Sequence, residues 1–145
     1  MIKTICILAL IAGFSSAVVA QDSEMTIQAL NGKNGKPLVH RRLLVFGGKT
    51  AEAASHQETI FDVTTDGNGF ARVVFDPAKT RWIEVFADFL TLCHNKPNLV
   101  QFSVDTILST GFASPNHCGK IVPLVKPGQF TVFARPATLR EKMAW

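Results

Sequence analysis

Apolar and polar residues alternate with a period of two in several short stretches of this chain. Residues 61–75 contain two such stretches, which are joined by Asp66, Gly67, Asn68 and Gly69. This alternation places one set of side chains on each face of a β-strand. Asp-Gly and Asn-Gly supply the positive φ that a tight turn requires. The pattern predicts a β-hairpin with its turn at residues 66–69.

Five further stretches show strand patterns, at residues 26–30, 38–46, 81–90, 100–104 and 129–135. The stretch 81–90 is the clearest, because one face is wholly apolar: Ile83, Val85, Ala87 and Phe89. Its other face mixes aromatic and acidic side chains: Trp82, Glu84, Phe86 and Asp88. About seven short strands separated by Gly/Pro turns predict an all-β protein, an antiparallel β-sandwich.

The two ends of the chain fall outside the predicted sandwich. Residues 1–20 combine Lys3, an apolar run and a small-residue cleavage site at Ala20, which is the pattern of a secretory signal peptide. At the other end, Thr138 and Glu141 have the spacing of a helix capping box, which predicts a short helical turn. We expect Trp145 to dock on the body of the protein, with a partner contact as the alternative.

Length and charge limit the classes of protein that fit. The chain has 145 residues, which suits one domain, and a formal net charge of +4. Such mild basicity does not indicate nucleic-acid binding. No stretch after residue 20 is apolar for long enough to cross a bilayer. The predicted organisation is a cleaved signal at 1–20, a sandwich at 21–135 with an insertion at 91–128, and a tail at 136–145.

Three short motifs carry a resemblance to a known family. They are GKPL at residues 35–38, TDGNGF at 65–70 and PGQFTVF at 127–133. With the strands between them, they resemble transthyretin-like (prealbumin-like) sandwiches and the carboxypeptidase regulatory-like domains of secreted bacterial proteins. The resemblance implies a sandwich fold and is nearly silent on function. The insertion departs from the family pattern and predicts a distinct subfamily.

Two cysteines remain after the predicted signal peptide, Cys93 and Cys118. An even pair in an exported protein favours a disulfide, which would close the insertion into a loop. The adjacent His94 and His117 leave a zinc site as the alternative, although zinc ligands are usually separated by a few residues in each half of a site. No calcium loop is predicted, because the twelfth position counted from Asp62 is not a Glu.

Two groups of residues are candidates for binding. Trp82 and Phe86 form the aromatic part of one strand face, which is either a ligand surface or a face covered by the insertion or the tail. Arg41 and Arg42 follow His40 in a basic cluster, with Lys33 and Lys36 in the preceding loop. Such a cluster would meet an anionic glycan or a phosphate surface, or would be a solvated strand edge that blocks aggregation.

No catalytic motif is present, neither a G-x-S-x-G elbow nor an H-E-x-x-H helix. We therefore expect a non-enzymatic secreted or periplasmic binding module without a cofactor, whose partner is a protein or a glycan. One alternative is an enzyme with its site in the insertion, built from His94, Asp105, Asn116 and His117. A structural envelope subunit is the other alternative, and the oligomeric state stays open.

Overall fold

The computed structural model describes residues 21–94 and 100–144 of the chain. The predicted signal peptide at 1–20 and the expected docking of Trp145 lie outside the described residues. The described elements are β1 (Ser23–Asn31), β2 (Arg42–Gly48), α1 (Ala51–Ser55), β3 (Thr59–Thr64), β4 (Phe70–Phe75), β5 (Trp82–Ala87), β6 (Leu90–Leu92), β7 (Gln101–Ser103), α2 (Val104–Thr110), β8 (Phe112–Ala113), β9 (Gln129–Pro136) and α3 (Leu139–Lys142).

The strands form two sheets. Sheet I has the order β4-β1-β9-β6, with β8 also paired to β9, and sheet II has the order β3-β2-β5-β7. The predicted all-β sandwich with a short C-terminal helix is confirmed. Most pairs are antiparallel, as predicted, but β1 and β8 both run parallel to β9. Alternation along a strand gives its faces and carries no information about the direction of its neighbour.

The tight turn forms at residues 66–69, but the predicted hairpin is wrong. β3 pairs with β2 in sheet II, whereas β4 pairs with β1 in sheet I. The chain crosses between the sheets at Thr65, which is 1% exposed. Its hydroxyl donates to the carbonyl of Leu38 (2.6 Å) and accepts from the amide of Arg41 (2.8 Å). These bonds hold the crossing segment against sheet II before the turn begins.

The hydrophobic core fills the space between the sheets. The inward faces of the long strands supply its largest buried residues: Met25, Ile27, Leu43, Val45, Val73, Ile83 and Phe130. The rings of Phe102 and Phe130 lie 4.6 Å apart and extend this core under the insertion. The inward face predicted for β5 is buried at Ile83, Val85 and Ala87.

Two predicted strands are longer than the observed ones. β2 begins at Arg42 rather than at residue 38, because residues 38–41 include a turn in which His40 has a φ of 53°. β5 ends at Ala87, and Phe89 has a φ of 55°. Phe89 is 67% exposed instead of joining the apolar face, because the chain turns there to begin β6.

The insertion contains more regular structure than the sequence predicted. β7 extends sheet II, β8 extends sheet I, and α2 connects them. The hydroxyl of Ser103 caps α2 by accepting from the amide of Thr106, and Ile107 points into the core with no exposed surface. Most of residues 114–128 lacks helix and strand, as predicted for this part of the chain.

Candidate functional site

A segment of the insertion covers the outer face of sheet I. A second small cluster forms there from Leu30, Cys93 and Phe133, with Cys118 and Ile121 packed against it. Cys93 and Cys118 are joined by a disulfide, with 5.4 Å between their Cα atoms. The predicted disulfide is confirmed, and it fastens the segment to the end of β6.

Asn116 fixes the path of this segment. Its side-chain amide donates to the carbonyls of Gly32 (2.9 Å) and Ile121 (3.2 Å), and its Oδ1 accepts from the amide of Cys118 (3.2 Å). A side chain at Gly32 would begin 2.7 Å from the sulfur of Cys93, so only glycine allows this approach. The segment and the end of β1 therefore form one rigid wall.

An open groove of about 830 Å³ lies beside the disulfide, and we call it the disulfide groove. It is lined by Asn31, Lys33, Thr91, Leu92, Cys93, His117, Cys118, Arg135, Pro136 and Thr138. Lys33 and His117 are exposed at its rim, and neither forms an ion pair within residues 21–94 and 100–144. The groove thus presents cationic groups, from Lys33 and Arg135, and the hydroxyls of Thr91 and Thr138, whereas the Leu92 side chain packs against the core between the sheets.

The opposite wall of the groove is held by an ion pair between β9 and α3. Arg135 donates to both carboxylate oxygens of Glu141 (2.7 and 2.9 Å), and the amide of Thr138 donates to the same carboxylate (2.7 Å). The Arg135 hydrogen bond, followed by the Thr138 amide, holds the pKa of Glu141 well below its usual range. Glu141 balances the charge of Arg135, so among the described lining residues Lys33 is the cation without an ion-pair partner.

Trp82 and Phe86 lie on the other sheet, away from the groove. They are half-buried on the outer face of β5, on either side of Glu84, which is 1% exposed. α1 packs over this face, and its Ala54 has no exposed surface. Among the described residues, α1 therefore covers part of this face.

Glu84 is a buried acid within that covered face. Its Oε2 accepts from the side-chain amide of Gln101 (2.7 Å), whereas Oε1 has no hydrogen-bond partner among the described residues. A buried oxygen without a partner costs free energy, so this position weakens the fold.

The structure divides the predicted basic cluster, because Lys33 lines the groove and the two arginines do not. Arg42 at the start of β2 makes a bidentate bond to Asp62 on β3 (2.7 to 3.1 Å), and this bond lowers the pKa of the Asp62 carboxyl. Asp88 lies 3.9 Å from the same guanidinium. Arg41 is exposed beside it. Arg42 is solvated and paired within sheet II, but the predicted strand edge is wrong, because β2 pairs with β3 on one side and with β5 on the other.

Three of the four residues of the enzymatic alternative adjoin the cysteines of the disulfide, namely His94, Asn116 and His117, whereas Asp105 is engaged in an ion pair elsewhere. Asp105 lies at the start of α2 and pairs with Arg81, and the Asn116 amide is used by backbone groups. The amide of His117 donates to the carbonyl of Cys93 (2.8 Å), which places His117 on the groove. Across residues 21–94 and 100–144, no group of three or more His, Cys, Asp or Glu side chains is arranged to hold a metal ion.

Sequence reasoning did not bring together the residues that complete the groove: it assigned Lys33 to the basic cluster and Thr138 to the capping box, and it missed Thr91 and Arg135. The sequence contained one indication of the contact between Arg135 and Glu141. Arg135 lies six residues before Glu141 and three residues before Thr138, the two residues of the predicted capping box. The other residues reach the groove only through contacts between distant parts of the chain. The bond from Asn116 to Gly32, for example, spans 84 residues.

Comparisons with protein-family models, with curated proteins and with solved structures found no match to this chain. In the part of the chain that the structure describes, no helix has the length and apolar character needed to cross a membrane.

Proposed function

We propose that this chain is an exported, non-enzymatic binding module whose disulfide groove takes an extended segment of a partner protein. The observation that carries the proposal is an open groove with Lys33 and His117 exposed on its rim, where Lys33 forms no ion pair with any residue that the structure describes. Both walls are fixed before a ligand arrives, one by the disulfide and the other by the Arg135–Glu141 pair. A preformed site loses less conformational entropy on binding.

Export is supported by two features of the chain. Residues 1–20 have the pattern of a signal peptide, and the disulfide between Cys93 and Cys118 is typical of oxidising compartments. The periplasm and the extracellular space both meet this condition.

The transthyretin-like, carboxypeptidase regulatory-like identity is part of the same proposal. Two of the motifs that resemble this family lie side by side in space. A Cβ on Gly69, in the second motif, would be 3.0 Å from the Cβ of Pro37 in the first. Leu38, which follows Pro37, accepts from the hydroxyl of Thr65. This contact gives the motifs a common role at the crossing between the sheets.

A peptide suits the groove better than a glycan. Sugars are commonly held by an aromatic ring that packs against their C–H face, and none of the lining residues within 21–94 and 100–144 is Phe or Trp. A peptide would lie along the groove and place an acidic group near Lys33, beside His117. Opposite charges of this kind give specificity and a faster association.

A peptide selection tests the proposal. Peptides selected from a random displayed library on the purified protein should be enriched in acidic residues. The double variant Lys33→Ser/His117→Ala should bind a selected peptide about tenfold more weakly. The matched control is Lys49→Ser/His56→Ala, which removes the same residue types from exposed positions outside the groove.

The possible results distinguish a peptide in the groove from a general charge effect and from a glycan ligand. An equal loss in the control pair would show a general charge effect and contradict the groove assignment. A glycan array on which binding depends on Lys33 and His117 would replace the peptide with a sugar. Absence of any selected peptide whose binding responds to the groove variant would refute the proposed function.

A further inference from the structure

Each sheet has one long open edge on the same side of the sandwich. β4 ends sheet I and β3 ends sheet II, and within residues 21–94 and 100–144 each pairs with a strand on one side only. Both strands have six residues. An open edge of this length offers unpaired backbone groups to another strand.

The turn shows which backbone groups of β4 face outward. Phe70 donates through its amide to Oδ1 of Asp66 (2.9 Å), and its carbonyl accepts from the amide of Asp66 (2.7 Å). Phe70 therefore directs both groups away from β1. Because this direction alternates along an antiparallel strand, Arg72 and Val74 also direct their donors and acceptors outward. The outward groups of Phe70 bond to Asp66, whereas no strand within residues 21–94 and 100–144 pairs with those of Arg72 and Val74.

The β4 edge lacks the usual protection against pairing. It contains neither Lys nor Pro, and its one charge, on Arg72, pairs with Glu24 of the neighbouring β1. Val74 is 46% exposed beside it. Natural edges that stay single usually carry a free charge, a proline or a bulge.

We propose that β4 pairs antiparallel with β4 of a second copy of this chain, with Val73 on the two-fold axis. In this register Arg72 of each copy lies opposite Val74 of the other copy. The outward backbone groups of these two residues can therefore form hydrogen bonds across the contact. On the inner face, Ala71 lies opposite Phe75, which sets a small side chain against a large one. The contact is isologous and closes into a dimer.

Two neighbouring registers use fewer of these groups. A register centred on Arg72 places the guanidinium groups of the two copies opposite each other. It also pairs Val74 with Phe70, whose backbone groups already bond to Asp66. Centring on Val74 pairs Arg72 with Asp76, whose carbonyl already accepts from Thr80 (2.9 Å). Charge and hydrogen bonding therefore favour the Val73-centred register.

Sedimentation velocity of the purified protein over a wide range of concentration tests the dimer. Val74→Pro removes an outward amide from each copy without touching the pairing with β1, and should raise the dissociation constant about tenfold or more. The matched control Val74→Thr keeps the amide and the side-chain shape and should dimerise like the parent. A parent protein that stays monomeric throughout overturns the proposal, as does a Val74→Pro variant that dimerises like the parent.

Cysteine cross-linking tests the register independently. It also tests the β4 pairing if the Val74→Pro variant does not fold. Residues that face each other without hydrogen bonds in an antiparallel pair have Cα atoms about 4.5 Å apart, within disulfide range. Val73→Cys should therefore give a covalent dimer on mild oxidation, and Val74→Cys should not. Cross-linking through residue 74 alone, or loss of the dimer in Ile60→Pro on β3, would overturn the assignment to β4.

Discussion

The turn at residues 66–69 allows a sharp comparison between two glycines. Gly69 has a φ of 79°, and an added Cβ would lie 2.9 Å from the carbonyl oxygen of Ala29 and 3.0 Å from Pro37. A left-handed conformation costs an L-residue about 1–2 kcal/mol, and the crowding adds about 1 kcal/mol or more. We expect Gly69→Ala to lower the free energy of unfolding by about 2–4 kcal/mol.

Gly67→Ala is the matched control in the same turn. Gly67 does not have a positive φ, and no atom lies within 4 Å of its added Cβ. Alanine there restricts only the unfolded chain, so the variant should be more stable by about 0.4–1 kcal/mol. The two variants differ by one methyl group at positions two residues apart, and the expected effects have opposite signs.

Urea denaturation followed by circular dichroism measures both variants, with the slope m unchanged if both stay two-state. Thermal unfolding should show the same order, at about 4 °C per kcal/mol for a domain of this size. Equal stability of Gly67→Ala and Gly69→Ala would refute the reasoning, because it would mean that residue 69 is neither left-handed nor crowded.

Three further perturbations have defined outcomes. Replacing Cys93 and Cys118 with Ala should lower the free energy of unfolding by about 3–4 kcal/mol, measured by urea denaturation, because the bond closes a separation of 25 residues; a loss below about 1 kcal/mol would contradict this. Since the pKa of Glu141 is lowered in the fold, its contact with Arg135 contributes stability above the ordinary carboxyl pKa and loses it as the pH falls through the lowered value. The amide signals of α3 should report that loss by NMR, and Glu141→Gln should abolish the pH dependence. Glu84→Gln should raise the melting temperature, because it removes a buried charge with an unpartnered oxygen; a lower melting temperature would show that the acid is needed.

The elements that the sequence predicted well depend on local patterns. Alternation in β5 correctly buried Ile83, Val85 and Ala87, because the period of two is a property of the strand itself. The capping box of α3 was predicted from two residues three positions apart, Thr138 and Glu141, and both of its bonds form. Turn chemistry likewise placed a turn at residues 66–69.

What the sequence could not predict depends on which strands become neighbours. Alternation in β3 and β4 describes their faces equally well whether they pair with each other or lie in different sheets. The observed arrangement depends on a contact that is distant in sequence. The buried hydroxyl of Thr65, between β3 and β4, donates to the carbonyl of Leu38, 27 residues earlier. The groove is even harder to predict from sequence, because Lys33 and Arg135 come together only after β1 and β9 have paired.

The parallel pairing of β1 with β9 also affects how the chain folds. β9 lies between β1 and β6, so the strand at the middle of sheet I is the last one to be synthesised. A side-chain contact between these strands, from Thr131 to Gln28, spans 103 residues. Such a high contact order predicts slow folding, because most of the chain must be ordered before the pairing stabilises it. If the protein is exported as proposed, this delay is useful, since a chain whose central strand is made last stays unfolded while it is being translocated.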